Sequence, residues 1–309
     1  MNIVSAFFKL TRWPNLVFIA LTQMLFRFFV LRFVYHDGTG DAEYIKLPLS
    51  LFYWLVFASV CIAAAGYIIN DYFDVNIDLI NKPSKLIIDR YIKRRWAIVW
   101  HIVLSFTGLV ISCYIGYKLR NFYIPVFNFA AIILLWFYST TFKKKLLIGN
   151  ILISLLTAWV ILVLTFSEHP VHVISSDAYW KRLIKLSFIY AGFAFIISLI
   201  REVIKDMEDM RGDAKYGGTT MPIVWGLQVS KVFVAVWLVV IIAGVAGVQI
   251  YVLQLGWWLS AVYSLFAIII PLAWILRKLY NAQSPKDFHQ LSTAVKVVMF
   301  TGILSMVFF

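Results

Sequence analysis

Charge is scarce in this 309-residue chain: only 14% of its residues are Asp, Glu, Lys or Arg, against roughly a quarter in ordinary soluble domains. That shortage, with 62% apolar residues and a mean hydropathy of +0.85, excludes a soluble globular enzyme. Cysteine is nearly absent. The two present, Cys61 and Cys113, each lie inside an apolar run, so neither a disulfide framework nor a thiolate metal site is expected. Segments of alternating apolar and polar residues are missing, which excludes a lipid-facing β-barrel. Disorder is excluded from the other side, because 26 Phe, 16 Tyr and 12 Trp supply ample apolar surface to bury. A cleaved signal is not expected either. Lys9 and Arg12 precede an apolar stretch, but no small-residue cleavage pattern follows and the stretch is long enough to span a bilayer.

What the chain has instead is a series of apolar runs of about 20 residues, the length that crosses hydrocarbon as a helix. They fall at 14–34, 48–69, 96–117, 122–142, 146–166, 183–204, 222–250, 255–276 and 291–309. The expectation is an all-α polytopic membrane protein with nine transmembrane helices, forming a single domain over 1–309. Most of the 28 lysines and arginines fall at the N-terminus and in alternate loops, including Lys82 to Arg95, Lys143 to Lys145 and Arg201 to Lys215. This asymmetry predicts a cytoplasmic N-terminus in the cell membrane. The net charge of +13 is then a topology signal and an attraction to anionic lipid headgroups, and no nucleic-acid partner is required.

Acid is concentrated where a membrane makes it costly. More than half of the 15 acidic residues lie in two windows: Asp71, Asp74 and Asp78, then Glu202, Asp206, Glu208, Asp209 and Asp213. Asp71, Asp74 and Asp78 follow D-x-x-D-x-x-x-D, and Asp206, Asp209 and Asp213 repeat it. That spacing places three carboxylates along one face of a helix. Each window closes an out-to-in helix, the second and the sixth, so the two carboxylate faces can meet at one depth on the cytoplasmic side. Carboxylates so close repel one another, and partial burial adds several kcal/mol per ion unless a cation compensates. Oxygen donors without Cys or His suit Mg²⁺, which characteristically bridges carboxylates to substrate phosphates. The implied ligand is a diphosphate.

Other features carry less. His169 and His172 lack a third ligand at fixed spacing and read as an outer loop. Gly217 and Gly218, ahead of Thr219, Thr220 and Pro222, have no preceding strand and no phosphate-loop lysine, and read as a turn and a cap for the seventh helix. Lys143 to Lys145 fit either a positive-inside anchor or a substrate contact.

The segment Asn70-Asp71-Tyr72-Phe73-Asp74-Val75-Asn76-Ile77-Asp78 resembles the N-D-x-x-D-x-x-x-D signature of the UbiA superfamily of intramembrane prenyltransferases. Lys205 with Asp209 and Asp213 resembles that family's second signature, K-x-x-x-D-x-x-x-D, and the resemblance covers essentially the whole chain. Arg201 through Asp213 is most similar to the branch that transfers geranylgeranyl to geranylgeranylglyceryl phosphate. Arg12 through Asn15, Tyr138 through Lys143, and Gly149-Asn150 are further family-like pieces.

The resemblance implies a UbiA-like bundle and a Mg²⁺-dependent prenyltransferase. Asn70, Asp71 and Asp74, with Asp209 and Asp213, would hold Mg²⁺ on a prenyl diphosphate, and Asp78 and Asp206 are further metal positions. Lys82, Lys205 and Arg201 would neutralise the leaving diphosphate. Arg12, Asn15, Lys85, Tyr138 and Lys143 are the remaining substrate-binding candidates. The acceptor expected from the resemblance is a lipid, geranylgeranylglyceryl phosphate, giving an ether lipid; the alternative is an aromatic acid of the 4-hydroxybenzoate or 1,4-dihydroxy-2-naphthoate type. The chain departs from the family where Ser84 to Arg90 replaces an Arg-Pro-rich turn, and where Arg201 stands in place of a frequent Tyr. The competing class is an ion-coupled transporter, which would place its acids on helices broken near the bilayer midplane.

Overall fold

The computed structural model describes residues 2–36, 45–81, 83, 86–169 and 177–309. Among these residues there is no strand, only an isolated bridge between Ile88 and Ile92. Nine described helices are long and apolar enough to cross a membrane: α1 (Trp13–Tyr35), α2 (Leu49–Asn81), α3 (Arg94–Leu119), α4 (Tyr123–Thr140), α5 (Ile148–Ser167), α6 (Ala178–Lys215), α7 (Gly226–Gln254), α8 (Trp258–Asn281) and α9 (Pro285–Phe308). The chain is a multi-pass membrane protein. A short helix, Ile3–Leu10, precedes α1; the Asn2 side chain caps it by accepting from Ser5 N at 2.8 Å. It buries Ala6 and Leu10 and exposes Ile3, Val4 and Phe8, the pattern of a helix lying at a membrane interface.

Two helices run well past their apolar stretches. α2 continues to Asn81 and α6 to Lys215, so each acidic window lies on an unbroken helical end. A hydropathy reading stops at the last apolar turn, whereas helical hydrogen bonding continues through polar residues.

The chain forms two compact units, one of residues 1–143 with 158–191 and the other of 144–157 with 192–309. In the first, α2 packs against α1, α3 and α4, and Leu10, Ile68, Val75, Ile88 and Ala97 join in one buried cluster. A polar chain ties its helices together: Trp159 Nε1 donates to Asn128 Oδ1 at 2.9 Å, and Asn128 Nδ2 donates to Ser112 Oγ at 2.8 Å.

In the second unit, Ile200, Val203 and Ile204 of α6 pack with Val234 of α7, Leu272 of α8 and Val295 of α9. A π-turn over Leu265–Ile269 breaks the regularity of α8 just before Pro271. Proline has no N–H to give the carbonyl four residues back, and its ring crowds that carbonyl. The carbonyl concerned, Ala267 O, takes Thr301 Oγ1 at 2.7 Å instead.

Gly217 and Gly218 close α6, which corrects the expectation that they cap the seventh helix. Gly217 has φ +74°, Gly218 N donates to Asp213 O at 2.8 Å, and a Cβ on Gly218 would lie 2.9 Å from that same oxygen. This is the left-handed glycine stop that satisfies the last helical carbonyls. α7 starts later, at Gly226, after a short helix Met221–Val224 whose N-cap Thr220 makes no side-chain cap.

Candidate active site

In the first unit the candidate residues converge on the polar end of α2. Asn70 and Asp74 are one turn apart, and Asn70 Nδ2 donates to Asp74 Oδ2 at 2.7 Å. Lys143, on the turn Phe142–Lys144, reaches the same Asp74 oxygen. The Asp74 side chain is only 6% exposed. A carboxylate held that far from water costs several kcal/mol unless a cation answers it.

Asp71 is served from the other direction. Arg12 Nη2 lies 2.6 Å from Asp71 Oδ1, and the Arg12 guanidinium carbon sits 5.3 Å from the centroid of the Tyr67 ring. Tyr67 and Asp71 are four residues apart on α2, so ring and carboxylate share a face and form one socket for the guanidinium. The carboxylate raises the Arg12 pKa above its ordinary value, keeping the guanidinium charged. Arg12 reaches this position with φ 52°, left-handed backbone between the short interfacial helix and α1. For a non-glycine residue that costs of order 1–3 kcal/mol and is characteristic of functional sites. Asn15 lies in the first turn of α1, where its backbone N–H donates to Arg12 O at 2.8 Å, and Tyr138 lies in the last turn of α4.

In the second unit Arg201, Lys205, Asp206, Asp209 and Asp213 occupy the polar end of α6. Glu202 draws two of the cations together: Arg201 Nη1 lies 2.9 Å and Lys205 Nζ 3.4 Å from its carboxylate. Asp206 Oδ2 accepts from Asn150 Nδ2 at 2.8 Å, and Asn150 comes from the first turn of α5. Glu208 turns away from the set, to His289 Nδ1 at 2.9 Å and Ser292 Oγ at 3.5 Å on α9.

The sequence reading named neither Tyr67 nor the roles of Glu202 and Asn150. Tyr67 had a signal in its i, i+4 spacing to Asp71. Lys82 and Lys85, both expected to bind substrate, and His172 lie outside the described residues.

The donor set fits a hard divalent cation. All its members offer oxygen, and Asn70 Oδ1 is buried with no hydrogen-bond partner beside a carboxylate. Among the described residues no three Asp, Glu, His or Cys side chains gather as a metal cluster in this structure; Arg12, Lys143 and Asn150 contact Asp71, Asp74 and Asp206.

The UbiA prenyltransferase family matches residues 38–301 of this chain. The chain belongs to that family. It is therefore a prenyltransferase. It is 29% identical over 299 residues to the digeranylgeranylglyceryl phosphate synthase of Methanothermobacter thermautotrophicus, covering 96% of this chain and 92% of that one. The fold matches a solved structure described as digeranylgeranylglyceryl phosphate synthase in membranes, with a TM-score of 0.62, 23% identity and coverage of 98% of this chain and 97% of that one. It also matches a UbiA homolog from Archaeoglobus fulgidus bound to DMAPP and Mg²⁺, with a TM-score of 0.57, 14% identity and coverage of 97% and 99%. As a UbiA-family fold, the chain keeps the acids of both windows on continuous helical ends, with no helix break at either window. That arrangement is not the broken-helix geometry a transporter would need.

Proposed function

We propose that this enzyme transfers a geranylgeranyl group from its diphosphate to the free hydroxyl of geranylgeranylglyceryl phosphate, forming an ether lipid at the cytoplasmic side of the membrane. The observation that carries the diphosphate chemistry is the oxygen-rich face Asn70, Asp71 and Asp74, with two cations already drawn to it. The acceptor follows from the similarity to relatives that bear the synthase name. Residues 1–309 then act as one prenyltransferase domain.

Asn70, Asp71, Asp74 and Asp78 would hold Mg²⁺ in the first unit, and Asp206, Asp209 and Asp213 are the candidate metal ligands of the second. Bound there, the metal supplies positive charge for the departing diphosphate. Lys205 and Arg201, held in position by Glu202, offer N–H donors to phosphate oxygens, with Lys82, the residue that follows Asn81 in sequence, a further candidate. These cations act where charge develops, because the diphosphate takes the bonding electron pair as its bond to the allylic carbon breaks. The acceptor oxygen then bonds to that carbon and passes its proton to the departed diphosphate. Aromatic side chains on the apolar helices exclude water that would quench the cation.

Prenyl transfer by purified protein in EDTA, with and without added Mg²⁺, tests the chemistry. Loss of transfer in EDTA and its return with excess Mg²⁺ is expected. Transfer at an undiminished rate in EDTA would overturn the proposal.

A further inference from the structure

Both inner carboxylates of the first acidic window are held by cations that the tertiary fold brings from far along the chain. Arg12 comes from the link before α1 and pairs with Asp71 at 2.6 Å, 59 residues away. Lys143 comes from the turn after α4 and pairs with Asp74, 69 residues away. Neither is a local helix pair. Beside them Asn70 spends its amide on Asp74 and leaves Oδ1 buried without a partner. A purely structural ion pair would leave no buried acceptor waiting, since an unmet buried oxygen costs free energy that local repacking normally removes.

We infer that Lys143 is an exchangeable counter-charge: it holds Asp74 in the metal-free enzyme and moves to a phosphate oxygen when a divalent cation and a diphosphate load together. This rests on the reading that Asp74 is a metal ligand. An ammonium and a divalent cation at one carboxylate oxygen repel each other, so each weakens the other's hold on Asp74. Lys143 therefore competes with the metal. Its ammonium sits on a flexible four-carbon stem, and its side chain is 29% exposed, so it can leave Asp74 without the fold reopening. Arg12 touches both the Asp71 carboxylate and the Tyr67 ring.

Two consequences have definite signs. Removing the lysine charge should tighten metal binding on its own, because a competitor is gone. It should also weaken the coupling between metal and diphosphate, because in the native enzyme the ammonium displaced from Asp74 gains a phosphate oxygen when the diphosphate is present. Coupling of this kind is reciprocal, so each ligand strengthens the other by one factor.

The test is a Mn²⁺ titration followed by electron paramagnetic resonance, on purified protein, with and without inorganic pyrophosphate. Wild type, Lys143→Met, Lys143→Gln, Lys143→Arg and Asp74→Asn are compared. Both neutral variants should bind Mn²⁺ alone roughly tenfold more tightly than wild type, and pyrophosphate should enhance their binding correspondingly less. Lys143→Arg, which keeps the charge, should behave like wild type. Unchanged or weaker Mn²⁺ binding in the neutral variants, while Asp74→Asn still weakens it, would overturn the exchange and leave the metal site standing. Asp74→Asn binding Mn²⁺ as wild type does would overturn the metal site itself.

Discussion

Asn70 donates its amide to Asp74 one turn further along α2, at 2.7 Å, while Asn70 Oδ1 stays buried without a hydrogen-bond partner. The amide therefore orients the carboxylate and offers a second oxygen to whatever the carboxylate binds. Residues that orient a metal ligand typically cost 10–100-fold in metal affinity or activity when removed. Asn70→Ala should accordingly raise the Mg²⁺ concentration for half-maximal turnover by about tenfold or more. A Mg²⁺ titration of steady-state rate checks this.

Asp71→Ala, Asp74→Ala, Asp209→Ala and Asp213→Ala should each lower turnover by about 100-fold or more, because each removes transition-state stabilisation of several kcal/mol. All four variants should still insert into membranes and elute as single species on gel filtration. Loss of turnover together with loss of the extractable protein would point to folding instead of chemistry.

A buried carboxylate away from this site makes stability depend on pH. Glu168 accepts from Lys46 N at 2.7 Å and Leu47 N at 3.1 Å, with Arg27 Nη1 4.0 Å away. Burial pushes the Glu168 pKa up, and the backbone donors and the two cations offset this only in part. Below the ordinary carboxylate range the side chain is protonated both folded and unfolded, so it adds no pH dependence there. As pH rises the unfolded chain ionises first, and folding then bears the penalty until the folded carboxyl ionises too. Relative to Glu168→Gln, the melting temperature of the wild type should fall as pH rises above about 4, the ordinary glutamate value. Parallel melting curves for the two proteins over that range would remove Glu168 from the explanation.

The charge distribution predicts which side of the membrane the acidic helical ends face. With native cysteines replaced, Lys215→Cys should be protected from a membrane-impermeant thiol reagent in intact cells, and Lys118→Cys should be labelled. Both positions are exposed in the structure. The reverse pattern would invert the orientation.

Hydropathy alone was enough to count the spans, and the repeated D-x-x-D-x-x-x-D was enough to find both acidic faces, because each signal is local. The last residues of α2 and α6 were not legible from hydropathy, since a polar helical turn looks like loop on that scale, although the acid spacing had already placed both windows on helices. Gly217 and Gly218 sit between two helices, and only the hydrogen bond from Gly218 N to Asp213 O decides which helix they serve. The pairing of Lys143 with Asp74 spans 69 residues and leaves no trace in spacing. Glu202 was visible as one more acid, yet its bonds to Arg201 and Lys205 depend on rotamers that a sequence does not display.

Product analysis tests the proposed reaction most directly. Purified protein, Mg²⁺ and labelled geranylgeranyl diphosphate are incubated with geranylgeranylglyceryl phosphate in one arm and 4-hydroxybenzoate in the other, and products are resolved by mass spectrometry. Labelled digeranylgeranylglyceryl phosphate in the first arm, with no prenylated ring in the second, is the expected result. A prenylated aromatic acid with no ether product from the glycerol phosphate would contradict it.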